Sequence, residues 1–414
     1  MVNLYIFNES SSATEYGIGT YIRELTTALR GCVMTIVVLH LKKEIAQIHK
    51  EELGGIQHWS FPAPIKSIRL RGSARQNELY YRNIVYLLQL HIPDKRRLVF
   101  HLNNFQCGKL AEDLKNAFDC RVVGVAHFFE WGCVVYDNLH LLRSILDEEK
   151  LNEAGVALKK AIQEEKDFYT QLDRIICLSN YMYQILHQFY GINTSKMAIV
   201  PNGLTDCASA KGDRQKLRMK WNIPDGEKII LFAGRLSKMK GLAYLIEAFR
   251  KILLRYPQCR LVIAGGGDFE FFTKESQDVC TRVTYTGFLE KAQLYEWYCL
   301  ADVGVTPSLF EPFGYVAVEM MMYGLPVVVT ATSGLCETVG DDCGIKIPIT
   351  ETPEGVEVDT TLLSEKILYL LQYPDEAIKL GQNGRKRFLK EYTSEVFRLN
   401  MITLYNSIYN TGIL

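Results

Sequence analysis

Short apolar runs that alternate with longer amphipathic stretches set the strongest constraint on what this chain becomes. In the first half the runs fall at 4–7, 35–39, 98–102, 122–126 and 175–178; in the second they fall at 229–232, 261–263, 283–286, 303–306 and 326–329. Runs this short and this apolar read as buried strands, and strands separated by helical pattern are joined by right-handed crossovers into mostly parallel, helix-covered sheets. At 414 residues the chain exceeds the size at which one core keeps growing, so two doubly wound domains of roughly 200 residues each are expected. Turn residues at Val200-Pro201-Asn202-Gly203, followed by a polar stretch over 206–220, place the boundary near 200. The reading gives a first domain over 1–200 and a second over 201–385. A final helical segment, 386–414, lies beyond the last predicted strand at 344–347 and is expected to pack back across both domains.

Charge excludes one class of partner. Lys plus Arg number 47, as do Asp plus Glu, which argues against nucleic-acid binding through bulk electrostatics. The eleven cysteines show neither CxxC nor zinc-ligand spacing and read as reduced, mostly buried thiols. The run at 2–7 lacks the basic region and cleavage site of a secretory signal, and no run approaches the roughly 18–20 apolar residues that cross a bilayer. A cytoplasmic protein is predicted; the basic stretch 66–97, where Lys66, Arg69, Arg71 and Arg75 are interleaved with Ile65, Ile68 and Leu70, reads first as a solvated loop, with peripheral membrane contact as the alternative.

Candidate chemistry sits where strands give way to helices, the edge at which open α/β sheets bind ligands. Glu311-Pro312-Phe313-Gly314-Tyr315 follows the run at 303–306, and Glu319 lies eight residues after Glu311, roughly 12 Å along a helix at about 1.5 Å per residue. One glutamate meets one end of a long ligand and the other its far end. After the run at 229–232 comes Gly234-Arg235, then Lys240-Gly241 at a helix start. A planar guanidinium and a point charge beside helix amides make a diphosphate seat. Gly265-Gly266-Gly267 and Gly287-Phe288 follow the next two runs; glycine lets a planar base approach the backbone, and an ordinary turn calls for glycine equally. In the first half, Gly17-Ile18-Gly19 separates the first strand from a helix, with Ile22 where a complete dinucleotide fingerprint has its third glycine. His127 ends the run at 122–126.

In this order, Gly17 and Gly19, His127, Pro201-Asn202-Gly203, Gly234-Arg235 with Lys240-Gly241, Ala264 to Gly267, and Glu311-x7-Glu319 resemble the retaining glycosyltransferases of family four, the group 1 glycosyltransferases, over nearly the whole chain. The resemblance implies a GT-B fold, two Rossmann-like domains facing a cleft. It implies transfer of a hexose-type sugar from a UDP- or GDP-linked donor to a hydroxyl of a glycan, lipid-linked or peptide acceptor, without a required cofactor; the absence of Asp-x-Asp agrees with a metal-independent class. By resemblance, Arg235 and Lys240 hold the diphosphate with the amides of Gly314 and Tyr315. Glu319 binds the ribose and Glu311 the transferred sugar, with His127 lining the sugar's other side. Gly287 and Phe288 meet the base, Gly234 supports the turn, and Gly17 and Gly19 approach the phosphates. A nucleotide-sugar epimerase and a non-catalytic nucleotide-sugar-binding subunit are the competing readings.

Overall fold

The computed structural model describes residues 2–9, 17–63, 74–103, 108–147, 152–208 and 212–409. The chain forms two compact units. The first comprises 1–130, 151–203 and 394–414, the second 131–150 and 204–393.

The first unit carries strands β1 (Val2–Glu9), β2 (Met34–Lys43), β3 (His49–Leu53), β4 (Ile56–Pro62), β5 (Leu98–Leu102), β6 (Cys120–Ala126), β7 (Arg174–Cys177) and β8 (Met197–Ile199). They form one sheet in the order β3-β4-β2-β1-β5-β6-β7-β8. All neighbours run parallel except β3 with β4. Every residue of β5 is buried, as expected for a strand covered on both faces.

The second unit carries β9 (Lys228–Ala233), β10 (Cys259–Ala264), β11 (Val283–Gly287), β12 (Val303–Thr306), β13 (Val327–Thr330) and β14 (Gly344–Ile347) in a parallel sheet of order β11-β10-β9-β12-β13-β14, and a separate antiparallel hairpin of β15 (Ile349–Thr352) and β16 (Gly355–Val358). Strand order reverses between β9 and β12, so the loops after these two strands flank the switch point at which doubly wound sheets take ligands. Phe232, Val305 and Val328 from the sheet, Leu245, Phe249 and Ile252 from the helix Leu242–Arg255, and Ile367 and Leu371 from the helix Thr360–Gln372 are buried between sheet and helices. Burying such side chains stabilises the unit by about 1.5–3 kcal/mol each.

The elements correct several expectations. The hairpin β3-β4 and strands β15 and β16 have no counterpart in the sequence reading. The segment expected to be one crossing helix breaks at Tyr392-Thr393: helix Pro374–Glu391 packs against the helix Tyr315–Met322 of the second unit, whereas helix Ser394–Tyr409 packs on the helix Gly17–Leu29 of the first. Tyr405 fixes that end, its hydroxyl 2.9 Å from His101 Nδ1. The chain also visits the second unit early, through 131–150. Cysteines are less buried than expected: of ten described, Cys120, Cys177, Cys259 and Cys343 are buried and Cys280 is exposed. No described helix is long and apolar enough to cross a membrane. Of the basic stretch 66–97, residues 66–73 lie outside the described residues; Arg82 lies within 3.9 Å of Glu78 and Asp113, and Arg96 bonds Asp94 at 2.9 Å, so neighbouring acids offset both.

Candidate active site

Three loops meet at the carboxyl edge of the second unit. The loop after β9 carries Gly234, half-buried Arg235, and Lys240 in a single 3-10 turn, Lys238–Lys240. The loop after β12 carries Glu311. Although 71 residues apart, Lys240 Nζ and Glu311 Oε2 form an ion pair at 2.5 Å, their side chains 23 % and 17 % exposed. Adjacency of β9 and β12 in the sheet explains the meeting. Met239 O accepts from Leu309 N at 2.8 Å and locks the two loops together. A partly shielded cation held against a carboxylate at a switch point is a charge-assisted contact that an incoming anion can exchange into.

Gly314 starts the helix Tyr315–Met322 in the left-handed region, φ 94°, and no side chain caps that end. Its first amides lack intrahelical partners by construction, which makes the turn attractive to an oxyanion. Glu319, on the same helix, is fully buried. Its Oε1 accepts from Lys291 Nζ and its Oε2 accepts from Tyr298 OH at 2.8 Å. Tyr298 in turn lies against Tyr295 and Tyr323. Burying a carboxylate costs several kcal/mol unless it is paired, and Lys291, on the helix Lys291–Leu300, supplies the counter-charge from a side chain that is itself 41 % exposed. Sequence reasoning found Glu319 but not these two partners.

The glycine cluster after β10 is explained by packing. A Cβ on Gly265 would stand 1.8 Å from Gly234 O, and one on Gly267 2.4 Å from Leu236 O. The loops after β9 and β10 therefore run backbone against backbone, joined by Gly234 N to Ala264 O and Leu236 N to Gly266 O. These glycines serve the approach of two loops. Gly287 differs: it is left-handed, φ 71°, with open space where a Cβ would be, and Phe288 beside it is 60 % exposed.

In the first unit, Gly17 and Gly19 form the first turn of the helix Gly17–Leu29 instead of a loop before it; residues 10–16 lie outside the described residues. His127 follows β6, and its Nε2 is 3.0 Å from Asn103 Oδ1. Asn103 donates Nδ2 to Phe7 O at 3.0 Å, which turns its Oδ1 toward the imidazole. Nε2 therefore carries the proton and Nδ1 keeps a lone pair. Tyr21 meets the ring edge-on at 5.0 Å. Burial lowers the His127 pKa to about 3, so the ring stays neutral. Asn103, at the end of β5, was missed although its position at a carboxyl edge was the available signal. A wide depression of about 510 Å³ at the opposite, amino edge of this sheet is lined by Lys115, Asp119, Arg121 and Asp173. Lys115 there already bonds Gln171 O and Asp173, and none of the candidate residues reaches it.

Solved structures share this architecture along the whole chain. Sucrose-phosphate synthase from Thermosynechococcus elongatus superimposes with a TM-score of 0.79 at 22 % identity, covering 99 % of this chain and 100 % of that one. Anabaena HepE in complex with UDP and glucose does so with a TM-score of 0.71 at 16 % identity, covering 98 % and 100 %. With a Rossmann-like parallel sheet in each unit, the fold is that of the GT-B glycosyltransferases. The model for glycosyltransferase family 4 matches residues 16–206 and that for the group 1 glycosyl transferases matches 213–387. The chain belongs to this family. Curated relatives are an uncharacterized glycosyltransferase of Methanocaldococcus jannaschii, 35 % identical over 40 % of this chain and 44 % of that one, and mannosylfructose-phosphate synthase of Agrobacterium fabrum, 31 % identical over 44 % and 42 %. A D-inositol 3-phosphate glycosyltransferase of Nocardiopsis dassonvillei is 26 % identical over 61 % and 66 %. The matches to these three thus span less than two thirds of each relative's length.

Proposed function

We infer that the chain transfers a hexose-type sugar from a nucleoside diphosphate sugar to an acceptor hydroxyl with retention of configuration, the donor seated on the second unit and the acceptor chosen by the first. The single observation that carries this reading is the Lys240–Glu311 pair at the switch point, beside Arg235 and the uncapped start of the helix Tyr315–Met322. As the bond from the anomeric carbon to the phosphate oxygen breaks, its electron pair stays on the diphosphate. Arg235, Lys240 and the Gly314 and Tyr315 amides stabilise that growing charge, a service worth about 2.7–4 kcal/mol per donor in a water-poor site. These cations supply the neutralisation that a metal supplies elsewhere. The acceptor oxygen bonds the anomeric carbon and loses its proton to the departing diphosphate or to solvent.

Releasing Lys240 to the diphosphate frees Glu311 to accept from the sugar's hydroxyls. Glu319 accepts the ribose hydroxyls in exchange for Lys291 and Tyr298, and Phe288 offers an exposed face to the base. His127, neutral with Nε2–H committed to Asn103, offers Nδ1 as an acceptor on the first unit. A uridine donor is the first to test because HepE, a protein of the same fold, was crystallised with UDP and glucose; guanosine is the second. The experiment is turnover with a panel of nucleotide sugars and glycan, lipid-linked and peptide acceptors, with the anomeric configuration of the product read by NMR. Sugar transfer with nucleoside diphosphate release supports the reading. Isomerised nucleotide sugar without an acceptor, or binding without turnover for every donor, overturns it.

A further inference from the structure

Segment 131–150, which the chain sends into the second unit ahead of its main body, carries features that the donor seat as described does not use. Tyr136 and Asp137 are consecutive residues in the left-handed region, φ 52° and 69°, and Ser333, in the loop after β13, has φ 42°. Two of the six described non-glycine residues of positive φ are therefore joined directly, Ser333 Oγ donating to Asp137 Oδ2 at 3.0 Å, and a third, Tyr136, is next in the chain. A side chain in this region costs of order 1–3 kcal/mol and persists only where the surroundings over-determine it. Here they do. Asn138 Nδ2 donates to Thr352 O at 2.9 Å and Gly355 O at 2.7 Å, while its Oδ1 accepts from Leu141 N at 2.8 Å. Gly132 lies so close to Phe310 that a Cβ would meet its ring at 2.4 Å.

The strained pair is knitted to the donor loop. Thr332 Oγ1 is 3.2 Å from Ser333 Oγ and 2.9 Å from Leu309 O, and Leu335 N donates to Glu311 O at 3.0 Å. Asp137 is thus a half-buried carboxyl at the carboxyl edge of β12 and β13, joined through Ser333 and Thr332 to the loop that carries Glu311. We propose that Asp137 is a specificity-determining residue of the donor seat, contacting a hydroxyl of the transferred sugar. This rests on the reading of the second unit as a donor site and names the group that tells one sugar from its epimers. Because Asp137 is joined to the loop of Glu311, the glutamate read as meeting the sugar, it belongs to the sugar end of the ligand and not to the nucleotide end.

Burial raises its pKa to about 7, Ser333 lowers it and Glu351 on β15 raises it further. Of the other ionisable groups on the elements packed here, Glu311 is neutralised by Lys240. Glu357 on β16 and Tyr136 act on the Tyr244 phenol. The carboxyl therefore changes from donor to acceptor toward the hydroxyl across neutral pH.

The test uses the full chain with Asp137→Asn and Asp137→Ala and two measurements. One is affinity for the free nucleoside diphosphate; the other is kcat/KM for the preferred nucleotide sugar and for its epimers, each as a function of pH. The expected result is unchanged nucleoside diphosphate affinity, a loss of about 10- to 100-fold in kcat/KM for the preferred sugar with smaller loss for its epimers, and disappearance in Asp137→Asn of a limb near pH 7. Wild-type discrimination and an unchanged pH profile in Asp137→Asn overturn the proposal, as does an equal loss for all sugars together with weakened nucleoside diphosphate binding, which marks a structural role. Failure of the wild-type chain to bind any nucleoside diphosphate overturns the donor-site reading instead.

Discussion

Gly241 ends the 3-10 turn that carries Lys240, and its substitution by alanine isolates how far the donor loop depends on one close approach. Its φ is 67°, and a Cβ there would stand 1.8 Å from Pro307 O, inside the backbone of the loop after β12. Gly287 is the internal control, with φ 71° and nothing within 4 Å. An alanine in the left-handed region costs roughly 1–2 kcal/mol, and that is the whole effect expected for Gly287→Ala. Gly241→Ala bears the same strain plus overpacking against immovable backbone, typically a further 1–3 kcal/mol, for a total of about 2–5 kcal/mol. For a unit of this size each kcal/mol lowers Tm by roughly 2–4 °C. Calorimetry on the full chain, with hydrogen exchange of the helix Leu242–Arg255 to report the second unit alone, measures both variants. Gly241→Ala should also lose the Leu309 N to Met239 O bond and with it the Lys240–Glu311 register, so donor kcat/KM falls as well as stability. Equal destabilisation by the two alanines, with equal activity, refutes the reasoning.

Four further outcomes follow from the same geometry. Lys240→Ala should lower donor kcat/KM by roughly 100- to 1000-fold, and near-wild-type turnover in that variant removes Lys240 from the mechanism. Glu165 is buried, accepting from Glu130 N at 2.7 Å and from the Tyr190 hydroxyl, and burial raises its pKa to about 7 from 4.5. The folded state then holds a proton that the unfolded state gives up, so Glu165 contributes stability that is lost as pH rises from about 4.5 to 7, by about 3 kcal/mol at 1.36 kcal/mol per unit; the stability difference between wild type and Glu165→Gln should change by that amount across this range, and parallel curves contradict it. His127 and His101 titrate near 3 and His40 near 4 because burial disfavours their charged forms. Unfolding lets them take up protons, so stability is lost as pH falls below about 6.5; an NMR titration placing His127 above pH 6 disproves its neutrality. Membrane contact through 66–97 predicts tighter binding to anionic than to neutral vesicles, and equal binding dismisses it.

Legibility in the sequence tracked burial. Strands such as β9 and β12 are covered on both faces and read as short apolar runs. The hairpin β3-β4 escaped because His49-Lys50-Glu51-Glu52-Leu53 is exposed throughout and offers no apolar face, although Gly54-Gly55 ahead of Ile56 was a usable turn signal. The glutamates and cations of the donor seat were legible by position at strand ends. Their contacts were not: Lys240 meets Glu311 through sheet order, and Lys291 meets Glu319 from another helix. Asp137 was invisible because its distinction is backbone strain and a tertiary partner, neither written in local pattern. The oligoglycine after β10 was ambiguous for the converse reason, since two loops in backbone contact demand the same residue as a base against a loop.

The most direct measurement is calorimetric titration of UDP and GDP into the wild-type chain and into Arg235→Ala and Glu319→Gln. If the carboxyl edge of the second unit seats a nucleoside diphosphate, one of the two nucleotides binds the wild type, and each variant binds it at least about 10-fold more weakly while keeping the wild-type fold by circular dichroism. Wild-type affinity in both variants would place the nucleotide elsewhere and contradict the account.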